Sequence, residues 1–192
     1  LAALAVNALS DKSDLSERGL ADCLQIHFVD TLGLVPYTAY TMYHPPQKII
    51  DRYAHVLVNF ALGSGKGIKR GETVYLIAEE CAKPFYVTLR NTILRAGGHV
   101  ISGYRPSVDE KHNLDRDFYL VAQNHQLEFF PAKYMKGLVD EVDHSIFIIS
   151  ETDKEALKDV DPKKIMKHGL AHKPYLDWCN DKENQGKFTW TL

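Results

Sequence analysis

The sequence predicts an α/β layered domain, a mainly parallel sheet flanked by helices, and three observations carry that prediction. Short β-branched and apolar runs, Thr73 to Ala78 (TVYLIA), His99 to Tyr104 and Ser145 to Ser150 (SIFIIS), have the length and composition of buried strands. Between them lie longer segments whose apolar residues recur at the three- and four-residue spacing of amphipathic helices. Strand, helix, strand, helices, strand is the order that builds a parallel sheet, because each parallel pair needs a crossover long enough to hold a helix.

Taken in order, the first strongly periodic segment is Gln47 to Leu62, with Ile49, Ile50, Tyr53, Val56, Leu57, Phe60 and Ala61 on helical spacing and Gly63 placed to close it. Pro46 suits the first turn of that helix. After the first strand, Pro84 opens a second helix, marked by Phe85, Val87, Leu89, Ile93 and Leu94 and stopped by Gly97-Gly98. A charged helical region is expected from Leu114 to Phe130, and another from Ala132 to Val142, separated by the helix-breaking Pro131. Tyr134, Met135 and Leu138 read as core. Asp161-Pro162 caps a short helix over Lys163 to His168, and Lys187 to Leu192 (KFTWTL) alternates like a strand. An apolar strand at the end of the chain predicts that a further segment belongs beyond Leu192.

The chain has 192 residues, enough for one full domain at about 150 residues each or one domain and part of a second. Its 45% hydrophobic and 25% charged residues are those of an ordinary folded protein and exclude collagen-like, disordered and coiled-coil classes. A net charge of −2 and a pI near 6.5 give no field to gather nucleic acid or an anionic membrane, so neither is expected as a partner. No run approaches the roughly 18 to 20 apolar residues of a membrane span. Cys23, Cys81 and Cys179 are odd in number and far apart, which suits a reducing cytoplasm rather than a disulfide scaffold.

The first 41 residues carry two basic and five acidic side chains, whereas residues 42 to 192 carry 21 and 20, so two pieces of different charge balance meet there. The leader has a potential helix from Ser16 to Phe28, then Gly33 and Pro36 interrupt any regular element. Leu1 to Leu9 is apolar but lacks the basic segment of a secretory signal. Met42 reads as a natural start.

Four features invite a chemical reading. Gly63-Ser64-Gly65-Lys66-Gly67 resembles a phosphate loop only superficially: Gly67 stands where Ser or Thr is needed, Phe60 replaces the first glycine, and the loop precedes a strand instead of following one. It is expected to be a flexible helix-to-strand connection. The turn Glu79-Glu80-Cys81-Ala82-Lys83 follows the first strand, where ligands collect in open α/β sheets, but its carboxylates would repel a pyrophosphate and serve equally well at the start of the next helix. His168 and His172 have helical ligand spacing, with Asp177 and Cys179 downstream, yet no HExxH or CxxC accompanies them. Lys163, Lys164 and Lys167 form a basic face of the solvated kind. Ser, His and Asp are plentiful without a GxSxG elbow.

The stretch Tyr43 to Leu192 resembles the amino-terminal portion of the thermophilic-type metallo-aminopeptidases, the family of aminopeptidase T and aminopeptidase S. The matching blocks are YHPPQKIIDRYAHVLVNFALGSGKGIKRGETVYLIAEECAKPFY, LRNTILRAGGHVI, FFPAKYMKGLVDEVDHSIFIIS, DPKKIMK and KENQGKFTWTL. Residues 1–41 show no match. The resemblance implies a cytoplasmic, homodimeric exopeptidase that uses two divalent ions of the Zn, Co or Mg type, whose bound water attacks the scissile carbonyl with a carboxylate as general base. Its metal ligands lie in the carboxyl-terminal half of the family, so the resemblance implies a domain truncated before the catalytic one. No catalytic, cofactor-binding or metal-ligating residue is assigned in this sequence, and no ion is expected in it. Two other readings remain at this point: a stand-alone α/β module that holds a small anion or peptide at the Glu79 to Lys83 turn, and an assembly domain that only makes dimer contacts.

Overall fold

The computed structural model describes residues 27–28, 37–38, 45–107, 112–150 and 155–192. The chain divides into two compact units, Leu1–His44 and Pro45–Leu192. In the first, strand β1 (His27–Phe28) pairs antiparallel with β2 (Tyr37–Thr38). The helix expected over 16–28 is therefore not continued at His27 and Phe28, and the rest of it lies outside the described residues, as do Leu1 to Leu9, Met42 and Cys23.

The second unit opens with helix α1 (Gln47–Val56), which runs on as a π-helical stretch, Leu57–Ala61, in which Leu62 N–H donates to Leu57 O at 3.2 Å. The expected α-helix thus changes pitch for its last turn. Strand β3 (Thr73–Glu79) follows, then a 3₁₀ turn (Glu80–Ala82), α2 (Lys83–Arg95) with Pro84 in its first turn, and β4 (His99–Arg105). Helices α3 (Leu114–Val121), α4 (Asn124–Leu127) and α5 (Ala132–Glu141) lead to β5 (His144–Phe147). Helix α6 (Pro162–Asn184) and β6 (Thr189–Thr191) complete the unit.

Among the described residues the strands of this unit form one four-stranded sheet in the order β4-β3-β5-β6, and every pairing is parallel. Leu76 sits in register with Ser102 on one side and Ile146 on the other. Val74, Leu76 and Ile146 project from one face and are fully buried against Ala54, Leu57, Val58 and Leu62 and against Leu89 and Ile93 of α2. Burial of each large aliphatic side chain there contributes roughly 1.5–3 kcal/mol. A second, smaller cluster joins Tyr119, Ala122, Leu127 and Val160, tying α3 and α4 to the start of α6 through Ile165.

Three expectations need correction. The charged region from Leu114 to Phe130 is two helices, parted at Ala122, whose extended backbone leaves the helix (ψ 136°), and restarted by a capping box between Gln123 and Gln126. The short helix over Lys163 to His168 continues to Asn184, through Gly169 and Pro174. A proline costs its helix one N–H bond and a clash at the preceding turn, and α6 carries that cost at a half-buried position. Tyr134, expected in the core, is 64% exposed, whereas Leu138 is buried.

The carboxyl end of α5 is closed from a distance. The Lys182 ammonium on α6 donates to the carbonyls of Val139 (2.7 Å), Asp140 (3.1 Å) and Val142 (2.6 Å), satisfying acceptors that the helix leaves unpaired.

Candidate functional site

In a sheet of this order the chain leaves β3 on one side for β4 and returns to the other side for β5, so the switch point lies between the carboxyl ends of β3 and β5. Glu79, Glu80, Cys81 and Lys83 stand there, where the sequence put them. Their geometry is that of a seam. Glu79 and Arg105 are register partners on β3 and β4 and pair at 3.6 Å, which neutralises one carboxylate. The Cys81 amide donates to Ser107 Oγ at 2.5 Å, and its exposed thiol donates to the Ser150 carbonyl at 3.4 Å. The turn thereby holds the segments that follow β4 and β5. Ser150 Oγ is buried and has no hydrogen-bond partner among the described residues.

The histidine pair is part of an aromatic ladder. His168 and His172 pack edge to face with ring centres 4.4 Å apart, flanked by Phe118 and Tyr119 on one side and Phe130 and Trp178 on the other. His168 Nδ1 meets the Tyr119 hydroxyl at 3.1 Å, and His172 Nδ1 donates to the His168 carbonyl at 3.1 Å. Burial, reinforced by the neighbouring His172, lowers the His168 pKa. Asp177 is engaged by Lys173 on the exposed side of α6 at 2.6 Å, and burial raises the Cys179 thiol above its ordinary range. The structure therefore does not bring His168, His172, Asp177 and Cys179 together. Among the described residues no three His, Cys, Asp or Glu side chains are arranged to hold a metal ion. Of the three lysines, Lys164 donates to the Tyr119 carbonyl at 2.6 Å and Lys167 pairs with Glu128 at 2.9 Å, so two of that basic face are engaged rather than merely solvated.

The glycine loop folds as a closed, hydrogen-bonded turn. Gly63, Ser64 and Gly65 take left-handed backbone angles in succession, and Lys66 and Gly67 amides close the turn on the Gly63 and Leu62 carbonyls. At Gly67 (φ +72°) a Cβ would lie 2.5 Å from the Asn59 carbonyl oxygen, so glycine alone fits against the π-helical stretch.

The most developed polar constellation is one that sequence distance concealed. At the amino-terminal edge of the sheet His144, 5% exposed, sits between Glu72 and Thr189: Nε2 to Glu72 Oε2 is 2.9 Å, and Nδ1 to Thr189 Oγ1 is 2.8 Å. The Gly63 amide donates to the same hydroxyl at 3.0 Å, and the Lys69 amide donates to Glu72 at 2.5 Å. Burial pushes the Glu72 carboxyl up, but the hydrogen bonds from His144 and the Lys69 amide, with the charges of both residues, outweigh it and hold the group below its ordinary value of 4.5. An ionised carboxylate only accepts, so Nε2 carries a proton. In a neutral imidazole Nδ1 then accepts from the Thr189 hydroxyl. Every group in the chain Gly63–Thr189–His144–Glu72 is satisfied. It borders a cavity of about 390 Å³ that is also lined by Asp140, Asp143 and Lys182. The Thr189 hydroxyl accepts from the Gly63 amide as well as meeting His144, so it joins three segments of the fold, which is the work of a fastener.

Comparison with known proteins gives this α/β unit its place. Residues 46–192 match the family model described as thermophilic metalloprotease (M29). Wild-type AmpT from Thermus thermophilus superposes with a TM-score of 0.58 at 17% sequence identity, a likeness of fold, over 76% of this chain and 35% of that one. The chain thus spans about a third of the length of that structure. No curated protein matches. With the family model covering all of the second unit except Pro45, the chain belongs to the thermophilic metalloprotease (M29) family.

Proposed function

We propose that this chain is the amino-terminal, non-catalytic portion of a metal-dependent aminopeptidase, one that removes residues from the amino ends of peptides with the help of two divalent ions of the Zn, Co or Mg type. The observation that carries the reading is the family match over 46–192 in a chain that aligns with only 35% of the AmpT structure. The described side chains do not fit a two-ion centre. His168 is hydrogen-bonded to Tyr119 and His144 to Glu72 and Thr189, while Asp177 is paired with Lys173. No step of hydrolysis is therefore assigned to them. Their contribution is mechanical: a sheet buried on one face by α1 and α2, seamed at its carboxyl edge by Cys81 and fastened at its amino edge by His144, supports the part of the enzyme that binds peptide and metal. The reading places the protein in the cytoplasm, where unpaired thiols such as Cys81 and Cys179 persist.

The test is the 192-residue chain incubated with a leucyl-amide substrate and Zn, Co or Mg in turn. Release of amine at the rate of the metal alone is expected. Turnover proportional to protein concentration would sink the proposal.

A further inference from the structure

The amino-terminal half of α6 is held down by side chains that take up protons near neutral pH. None of the residues of α6 is fully buried, so this half rests on few contacts. Ile165 packs on the cluster of Tyr119 and Leu127, Lys164 donates to the Tyr119 carbonyl at 2.6 Å, Lys167 pairs with Glu128 at 2.9 Å, and the rings of His168 and His172 join Phe118, Tyr119 and Phe130. Just past His172 the helix is interrupted. Pro174 has no N–H for the Leu170 carbonyl, and Gly169 adds backbone freedom beside that gap, so the helix can bend there.

The two imidazoles are placed to be neutral. Tyr119 is 9% exposed, and its hydroxyl meets His168 Nδ1 at 3.1 Å. With the ring proton on Nε2, Nδ1 accepts from that hydroxyl; a second proton, on Nδ1, takes the lone pair away and leaves the phenol without an acceptor among the described residues. With ring centres 4.4 Å apart, a charge on either histidine also disfavours a charge on the other. Most neighbouring charges are cationic or already paired. On α6 itself stand Lys164, Lys167 and Lys173, the last bonded to Asp177. Helix α5 brings Lys136, 5.9 Å from the Trp178 ring, and α4 carries the exposed His125, with Glu128 just past its end paired to Lys167. On α3, Arg116 turns to Asp159, and Asp115 is the acid whose charge favours a protonated His168. Burial, with the charge of His172, outweighs Asp115, and His168 holds its proton below the ordinary value of 6.5.

We propose that His168 and His172 form a proton-operated latch: with both rings neutral the amino-terminal half of α6 lies against α3, and one proton on the pair releases that half by a bend at Gly169–Pro174. The hold is complete above 6.5 and is lost as the pH falls from there through the lower value that His168 has in place.

Hydrogen exchange of the full chain, read by mass spectrometry at about pH 7.5 and about pH 5.5 and corrected for the intrinsic change in rate, tests this. A ring that refuses a proton in place and accepts it at the ordinary value on release gives up to about tenfold for the pH unit below 6.5. Amides of residues 162–172 should therefore lose protection several-fold, up to about that limit, while those of β3 and β5 keep theirs. His168→Asn offers Tyr119 an acceptor that cannot titrate and should abolish the response. Tyr119→Phe, which removes the hydroxyl displaced by the proton, should at least halve it and carries the test if the asparagine chain does not fold. Protection over 162–172 that changes less than about twofold in the parent chain, or falls equally throughout the sheet, overturns the latch. So does a full response in a folded His168→Asn or Tyr119→Phe chain.

Discussion

Thr189→Val removes one hydroxyl and keeps the shape of the side chain, so it isolates the fastener at the amino edge of the sheet. The hydroxyl serves two partners, His144 at 2.8 Å and the Gly63 amide at 3.0 Å. Valine leaves His144 Nδ1 without a partner in a site where the residue is 5% exposed, at a cost of about 1–3 kcal/mol for an unsatisfied buried group. The Gly63 amide borders the 390 Å³ cavity and can turn to water there, so it adds little. The sum is a loss of about 2 kcal/mol, read as a lower urea midpoint at unchanged slope. Thr189→Ser is the control: it keeps the hydroxyl and gives up one half-buried methyl, about 0.8 kcal/mol at most. A valine variant within about 0.5 kcal/mol of the parent, or a serine variant as damaged as valine, would show that the chain of hydrogen bonds is not what secures β6.

Two further consequences concern pH and backbone. Because the Glu72 carboxyl is held below 4.5, its contribution is complete above that value and is lost as the pH falls through the lower value of the folded state; Glu72→Gln should therefore flatten the decline of the urea midpoint below pH 4.5, and an unchanged acid profile would refute the role. Gly67→Ala meets the Asn59 backbone at 2.5 Å in a left-handed conformation and should cost at least about 2 kcal/mol, whereas Gly137→Ala, in the exposed middle of α5 with nothing within 4 Å, should stabilise by up to about 1 kcal/mol. Thermal unfolding of the two variants gives opposite signs of the Tm shift if Gly67 lies against the Asn59 backbone as described.

What could be read in the sequence was what depends on local pattern. TVYLIA and SIFIIS announce strands because a run of β-branched and apolar residues has few other uses, and Gly97-Gly98 announces a helix end because the Gly97 φ of +84° suits glycine. The parallel order followed from alternation alone. The length of α6 was hidden because Gly169 and Pro174 are stop signals in isolation. The closed turn at Gly63–Gly67 was hidden because the same glycines that loosen a free loop permit a tight left-handed turn when a helix backbone lies against it. Glu72, His144 and Thr189 are 72 and 45 residues apart, a separation that carries no periodic signal and is closed only by the parallel register of β5 with β3 and β6. The family resemblance, in contrast, rests on ordered blocks of residues, and the match over 46–192 agrees with it.

Whether bond-breaking belongs to another part of the polypeptide is tested most directly by reading the gene past the codon for Leu192. An open frame that continues into a second domain carrying clustered Glu, His and Asp residues is predicted, and a stop codon immediately after Leu192 in the natural transcript would contradict it.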